Sequence, residues 1–242
     1  VNMKLHQIIT SLLETDLYKF SMGQAIYHKF PSYKTNWTFK CRNADVKFNS
    51  EMVEEIKEQI HAYCALRFTN EELEYLSKIE WLHEDYIEHL QIWKPRFKDF
   101  TIGTDSPCGL SIEAKGTWLN TSMYEIPILA IVNEVYFRMS YNYNEIFEQY
   151  KRKLEEKKNW LISGEYNLGA FSEFGLRRRL SAEAQDLAVK TLCENNKNYK
   201  ESKCVGTSNV YLAKKYNVVP VGTMAHEFIM CVGQGNPMYN PA

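Results

Sequence analysis

Two spacings of apolar residues alternate along the first half of the chain. Residues 51–66 repeat apolar side chains at helical spacing, which predicts an amphipathic helix. Residues 35–42 instead alternate between apolar and polar side chains, as is typical of a strand with one buried face. The same reasoning predicts further helices over 11–30, 84–93 and 127–140, and further strands over 99–103 and 110–118. We therefore expect residues 1–118 to form an N-terminal α+β domain.

Polar residues at the ends of these segments predict where helices begin. Thr69 and Glu72 have the spacing of a capping box. Asn144 is placed to cap a helix that carries the charged run from 151 to 158, which we interpret as a solvated face. Ser181 is expected to cap a later helix.

The order of predicted strands and helices changes after Gly164. Strand-like segments at 168–174, 203–206 and 217–222 follow in series, and each leads into a turn or a helix. Serial βα units are typical of a parallel sheet or barrel. We expect residues 119–242 to form a helical connection and the first βα units of an α/β barrel. This pattern has only begun when the sequence ends in a loop-like tail, 234–242, so we expect the chain to be part of a longer protein.

The tripeptide Val-Gly-Thr occurs twice, at 205–207 and at 221–223. Each copy follows a short apolar run and precedes a helix-like segment, which places each glycine at the carboxyl end of a predicted strand. In parallel α/β folds these loops face the ligand, and glycine lets the backbone approach a phosphate. The second copy is followed by His226, whose imidazole is suited to proton or phosphoryl transfer near neutral pH.

Composition narrows the class of protein. The 242 residues are 45% hydrophobic and 24% charged, and the formal net charge of −1 gives no global attraction to nucleic acid or to an anionic membrane. The richest apolar stretch, 126–139, is interrupted by polar residues and is too short for a membrane span. The six cysteines are scattered, which supports neither a zinc site nor a disulfide framework and fits a reducing cytoplasm.

The residues alone leave alternatives open for each candidate side chain. His226 fits a structural or surface histidine as well as one near a phosphate, and it does not begin a zinc-protease motif because Met230 replaces the second histidine. Arg177, followed by two more arginines, suits a carboxylate or phosphate ligand but equally a solvated basic turn or ion pairs. By default, Phe174 would be a core residue and Tyr18 a half-buried helix aromatic.

Four segments together resemble the nicotinate phosphoribosyltransferases. They are Thr15–Lys19, Phe174–Arg179, Gly206–Asn209 and Gly222–Glu227, and they stand in the order and rough spacing of that family across essentially the whole chain. The resemblance implies a fold in which the α+β domain precedes an irregular, here incomplete, α/β barrel of the type II phosphoribosyltransferase kind. It also implies a reaction: nicotinate and 5-phosphoribosyl 1-diphosphate give nicotinate mononucleotide and diphosphate, coupled to ATP hydrolysis, in NAD salvage.

The resemblance further implies roles for single residues. His226 matches the histidine that ATP phosphorylates, and Thr223 matches a threonine that touches nicotinate. Tyr18 matches a tyrosine that lies against the pyridine ring, often in the site of a neighbouring subunit, so a homodimer is expected. Phe174 and Arg177 match positions that line the same pocket.

Ser208 falls where the related nicotinamide-using enzymes carry an aspartate. A carboxylate there would repel the carboxylate of nicotinate, so serine favours the acid as substrate. Mg²⁺ is expected to arrive with phosphoribosyl diphosphate, and no protein ligand for a metal is predicted. Two alternatives remain: a nicotinamide- or quinolinate-using relative, and a non-catalytic nucleotide-binding fragment.

Overall fold

The computed structural model describes residues 5–194 and 196–235. Within these residues the helices are α1 (Leu17–Lys29), α2 (Ser50–Ala65), α3 (Asn70–Ser77), α4 (Glu84–Ile92), α5 (Trp118–Ser122), α6 (Glu125–Ser140), α7 (Tyr143–Ser163), α8 (Ala182–Glu194), α9 (Val210–Tyr216) and α10 (His226–Gly235). The strands are β1 (Lys34–Thr38), β2 (Phe100–Gly103), β3 (Ser111–Thr117), β4 (Gly169–Glu173), β5 (Ser202–Thr207) and β6 (Val219–Pro220).

The first sheet has the order β1-β3-β2, and both pairings are antiparallel. Its central strand contributes Ile112 to the main apolar core, which also contains Ile56 of α2 and Ile131 of α6, all without exposed surface. The core around this sheet therefore includes a helix that follows residue 118. The division of the chain at that residue stays a prediction.

The second sheet has the order β4-β5-β6, and both pairings are parallel, as the serial βα units predict. Its third strand is shorter than the predicted 217–222. Asn217 ends α9 in the left-handed conformation with φ 49°, and the Val218 amide donates to the Ala213 carbonyl, so these two residues complete the helix end instead of entering the sheet. The predicted start of the third strand is wrong for that reason, and the strand also ends at Pro220 instead of at residue 222.

Helix ends follow the predicted caps in two of three cases. The Thr69 capping box is present, and Ser181 Oγ accepts a hydrogen bond from the Ala184 amide over 3.0 Å. The prediction for Asn144 is wrong, because α7 begins at Tyr143 and its N-cap residue is Asn142. The charged run of α7 is a solvated face, since the buried residues of that helix are Leu154 and Leu161.

The start of α1 is hydrogen-bonded to the residues that follow β5 in the second sheet. This helix begins at Leu17 rather than near residue 11, because the preceding segment pairs with the residues after β5 instead. The Leu17 amide donates to the Ser208 carbonyl over 3.0 Å, and the Val210 amide donates to the Thr15 carbonyl over 3.1 Å. The first turn of α1 therefore lies against the carboxyl end of β5.

The ends of the described chain add two points. Residues 234 and 235 of the predicted tail form the end of α10, and residues 236–242 lie outside the described part. None of the described helices combines the length and the apolar character that crossing a bilayer requires.

Candidate active site

The carboxyl ends of the three parallel strands define the candidate site. Strands β4, β5 and β6 end at Glu173, Thr207 and Pro220, and because they are parallel these ends lie at one edge of the sheet. Phe174 and Ser208 directly follow the first two strands, and the third strand leads into the loop before α10. The sequence therefore delivers its candidate residues to a single edge, against which α1 begins.

Ser208 is fully buried and acts on the start of α1. Its hydroxyl donates to Asp16 Oδ1 over 2.6 Å. Burial raises the pKa of the Asp16 carboxyl above its ordinary value, although the Ser208 hydrogen bond and the charge of Lys19 oppose that rise. The Ser208 side chain thus holds the residue before Leu17 and presents no exposed surface of its own.

Glu173 joins the ends of β4 and β5. Its Oε2 accepts hydrogen bonds from Thr207 Oγ1 at 2.7 Å and from Gln185 Nε2 at 3.1 Å. Its Oε1 accepts from the amide of Gly175, which fixes the turn after β4. Phe174 in this turn is 46% exposed, so its ring is available at the edge and is not a core residue.

A buried lysine links α1 to two other helices. Lys19 has no exposed side-chain surface, and its Nζ donates to Glu125 Oε2 over 2.7 Å and to Glu227 Oε2 over 2.9 Å. The other oxygen of Glu227 accepts from Trp118 Nε1 over 2.8 Å. Burial by itself would lower the pKa of Lys19, but the two carboxylates outweigh it and raise that pKa, so the ammonium stays charged. We call these four residues the Lys19 network.

The three consecutive arginines have three different environments. Arg177 Nη1 lies 3.3 Å from Glu125 Oε1, so this half-exposed guanidinium touches the Lys19 network. Arg178 is exposed. Arg179 is buried, and its Nη1 donates to Glu14 Oε2 over 2.8 Å. Of the three, Arg177 is the one that lies at the candidate site with part of its surface free for a ligand.

His226 is the first residue of α10 and is exposed. Thr223, in the loop before it, is exposed as well. The helix is fastened behind them by Glu227 and by Phe228, whose ring stacks on Trp118 with centroids 5.7 Å apart. The imidazole is therefore open to solvent on a helix that the Lys19 network holds in place.

The loop before α10 runs beside the start of α1. A Cβ atom added to Gly222 would lie 3.5 Å from Leu17 Cδ2 and 3.6 Å from the Tyr18 amide nitrogen. Tyr18 is half-buried, and that burial raises the pKa of its phenol to about 12, so the ring stays neutral at physiological pH. Tyr18 and the loop that contains Thr223 are thus neighbours at this edge.

The structure brings the predicted residues together through contacts that the sequence did not reveal. Tyr18 and His226 each precede a member of the Lys19 network, and Arg177 contacts the network directly. Lys19 and Glu227 stand inside the quoted motifs, but a charged residue on a helix looks like a surface residue in a sequence. Glu125 lies outside every motif, and no signal in the sequence pointed to it. The role of each of these residues in binding stays a prediction.

Comparisons with known proteins agree with the family expected from the four segments. A model described as the nicotinate phosphoribosyltransferase N-terminal domain matches residues 13–133, and a model of the nicotinate phosphoribosyltransferase family matches residues 170–242. A protein of Bordetella petrii named nicotinate phosphoribosyltransferase is 39% identical over 225 residues, and one of Bordetella pertussis is 40% identical over 225 residues. Both alignments cover 92% of this chain.

Solved structures give the same result for the fold. A crystal structure of nicotinate phosphoribosyltransferase from Porphyromonas gingivalis matches with a TM-score of 0.81 and 33% identity, covering 96% of this chain and 58% of that one. The corresponding structure from Vibrio cholerae gives a TM-score of 0.78 and 27% identity, covering 95% and 54%. The chain spans about half the length of the curated relatives it matches, 56% and 54% for the two Bordetella proteins.

Proposed function

The chain belongs to the nicotinate phosphoribosyltransferase family, and from this premise we propose that it serves the synthesis of nicotinate mononucleotide. In the proposed reaction nicotinate displaces diphosphate from 5-phosphoribosyl 1-diphosphate, and ATP hydrolysis is coupled to the transfer. The observation that carries the proposal is the Lys19 network. It joins the helix of Tyr18, the helix of His226 and the turn of Arg177 at the carboxyl edge of a parallel sheet.

In this proposal His226 is the phosphoryl acceptor. A nitrogen of its imidazole attacks the γ-phosphorus of ATP, the bond from that phosphorus to the bridging oxygen breaks, and ADP leaves. Water later hydrolyses the phosphohistidine to release phosphate. Two features support the role: the side chain is exposed, and it stands at the N-terminal end of a helix, where backbone amides and the helix dipole favour an anion.

The aromatic residues at the edge provide a surface for a flat ring. We propose that Tyr18, half-buried and neutral, and Phe174, exposed in the turn after β4, contact the pyridine ring of nicotinate. Thr223 offers an exposed hydroxyl beside them, and Arg177 offers a guanidinium for an anionic group.

Ser208 acts on substrate choice through Asp16 in this proposal. Its buried hydroxyl carries no charge, and the carboxylate that it contacts is that of Asp16. An aspartate at 208 would add a second negative charge beside it and disfavour an anionic substrate. The neutral serine therefore supports the acid, nicotinate, over the amide.

We assign Mg²⁺ no ligand among residues 5–194 and 196–235. The carboxylates at the edge are each engaged by a protein donor: Asp16 by Ser208, Glu173 by Thr207, and Glu125 and Glu227 by Lys19. We propose that the oxygens of the diphosphate group hold the ion, and that its charge is supplied to the site with that substrate.

The proposal also covers the oligomeric state and the cellular compartment. The exposed part of Tyr18 allows contact with the site of a second subunit, which supports a homodimer. The six cysteines are all free thiols, which supports a reducing compartment such as the cytoplasm.

His226→Asn in the protein that carries this chain tests the proposal. The protein is incubated with γ-labelled ATP, and acid-labile phosphate on it is measured together with ATP-stimulated formation of nicotinate mononucleotide. We expect both to be lost in the variant and retained in His61→Asn, which changes an exposed histidine on α2. Unchanged labelling of His226→Asn would contradict the proposal. Reversible ATP binding without transfer to the unsubstituted protein would indicate a nucleotide-binding module instead.

A further inference from the structure

Two histidines and an aspartate meet at the far end of α1, away from the candidate active site. His28 lies in the last turn of α1, His83 is the N-cap residue of α4, and Asp85 is in the first turn of α4. Their potential ligand atoms all lie within 4.8 Å of one another, and His28 Nε2 is 2.9 Å from Asp85 Oδ2. His28 is ten positions after Tyr18, which places this cluster about 15 Å along the helix from the tyrosine.

The backbone on both sides of the cluster is held firmly. The Gln24 amide group donates to the Trp81 carbonyl over 2.9 Å and accepts from the His83 amide over 2.7 Å, so the segment before α4 is fixed to α1 one turn before His28. The two helices also pack closely, since a Cβ atom added to Gly23 would lie 2.2 Å from the hydroxyl of Tyr86. The hydrogen bonds of Gln24 therefore tie the backbone beside His83 to the last turns of α1, from which His28 projects.

The chemistry of the three side chains matches a borderline divalent cation. Two imidazole nitrogens and a carboxylate oxygen form a ligand set that zinc accepts, at about 2.0–2.2 Å from each atom. Ligand atoms around one such ion lie about 3.4 Å apart. This distance falls between the 2.9 Å that separates His28 Nε2 from Asp85 Oδ2 and the 4.8 Å within which all the potential ligand atoms of the cluster lie. All three residues are exposed, so small rotations of their side chains close the set, and water can take the fourth position.

We propose that His28, His83 and Asp85 bind a single zinc ion that clips the end of α1 to the start of α4. This site could not be predicted from the sequence, because His28 is more than fifty residues from its partners and no short motif contains them. The proposal is independent of the reaction at the other end of α1.

The main rival interpretation is an ordinary surface ion pair between His28 and Asp85, in which His83 has no part. His83→Ala separates the two, because it leaves that ion pair intact and removes one zinc ligand. Calorimetric titration of the protein with zinc chloride measures the stoichiometry and the dissociation constant. Thermal melts with and without zinc report the same binding as a stabilisation of the folded state.

We expect one zinc ion per chain and a rise in melting temperature on adding zinc. We expect His28→Ala and His83→Ala each to weaken zinc binding by about tenfold or more and to abolish that rise. His61→Ala is the matched control, an exposed histidine on α2 outside the cluster, and should bind zinc as the unsubstituted protein does. Far-UV circular dichroism checks that each variant folds. The proposal is overturned by the absence of saturable binding, or by an affinity that His83→Ala leaves unchanged.

Discussion

The ammonium group of Lys19 lies 2.9 Å from a carboxylate oxygen of Glu227. These two residues directly follow Tyr18 and His226 in the sequence, so one buried ion pair joins the segment proposed for the pyridine ring to the segment proposed for phosphoryl transfer. Glu227 is held on its other side by the indole of Trp118. The position of His226 therefore depends on a cation that contacts neither nicotinate nor phosphate in our proposal.

Replacing that cation should destabilise the fold. Lys19→Met leaves the carboxylates of Glu125 and Glu227 without a counter-charge in a largely buried site. Breaking a fully buried ion pair costs about 3–5 kcal/mol. Because the two glutamate side chains keep 20% and 29% of their exposure, we expect a smaller loss of about 2–4 kcal/mol in the free energy of unfolding, measured in urea.

Lys78→Met provides the control for this loss. Lys78 pairs with Glu74 four residues earlier on the surface of α3, where water screens both charges. We expect a much smaller change in the free energy of unfolding from this variant than from Lys19→Met. Equal effects of the two substitutions would mean that the Lys19 network contributes no more than a surface ion pair.

Adjacent arginines allow a second matched test. Arg179 donates from Nη1 to Glu14 and, over 3.2 Å, from Nη2 to the Ile8 carbonyl, whereas Arg178 is exposed. A lysine at 179 keeps the charge but cannot make both bonds in the geometry of a guanidinium. We expect Arg179→Lys to lower the free energy of unfolding by about 1–3 kcal/mol, through the unpaired buried acceptor, and Arg178→Lys to leave it unchanged.

Amide hydrogen exchange locates the effect of the arginine. Arg179 holds the segment that precedes α1, so the amides of residues 8–14 should exchange faster in Arg179→Lys than in the unsubstituted chain. Faster exchange confined to α8 would show that the arginine supports its own neighbourhood instead of the N-terminal segment.

Local periodicity explains which elements the sequence could predict. Helix α2 and strands β4 and β5 carry their own apolar pattern, and the Thr69 capping box is contained in four residues, so each could be predicted from its own segment. The bounds of strand β6 could not, because the left-handed end of α9 takes up the first two residues of the predicted strand 217–222. That competition between a helix cap and a strand depends on how α9 packs.

Such local patterns cannot predict the contacts that build the candidate site. Lys19 meets Glu125 and Glu227 across separations of 106 and 208 residues. A sequence shows which residues are charged, but it does not show which of them the folded chain buries and pairs. The motifs therefore predicted which segments form the site, while the network that connects them became visible only in the folded chain.

The two glycines of the repeated Val-Gly-Thr tripeptide illustrate the same limit. The sequence suggested one role for both, a close approach of backbone to phosphate. In the structure Gly206 faces its neighbouring strand, where a Cβ atom would lie 1.8 Å from the Val219 carbonyl oxygen. Gly222 is exposed, and a Cβ atom there would make only ordinary contacts with Leu17 and Tyr18. Only the first glycine is required by the packing of the described chain.

Alanine substitutions at the two glycines should therefore differ. We expect Gly206→Ala to cost about 3 kcal/mol in the free energy of unfolding, because β5 and β6 must separate to admit the methyl group. Gly222→Ala should change it by no more than about 0.5 kcal/mol. Urea unfolding of the two variants measures both values. A larger loss in the free energy of unfolding for Gly222→Ala than for Gly206→Ala would contradict the arrangement of strands described above.

The buried carboxyl of Asp16 predicts a dependence of stability on pH. Burial raises its pKa above the ordinary value of 3.8, so the folded chain binds this proton more tightly than the unfolded chain does. The stability gained from it is fully present below the unfolded pKa and is lost as the pH rises through the higher folded pKa. Asp16→Asn removes the titration and keeps an oxygen that can accept from Ser208.

The free energy of unfolding of the unsubstituted chain, minus that of Asp16→Asn, should therefore fall as the pH is raised from about 4 to 7. Glu74→Gln serves as the opposite case, because the hydrogen bond from Lys78 lowers the pKa of Glu74 and the corresponding difference should rise slightly with pH. The difference between the unsubstituted chain and Asp16→Asn could instead rise with pH. In that case the Ser208 hydrogen bond and the charge of Lys19 would lower the pKa of Asp16 by more than burial raises it. Asp16 would then be a stabilising anion at the start of α1, and the added negative charge of an aspartate at 208 would be opposed even more strongly than we propose.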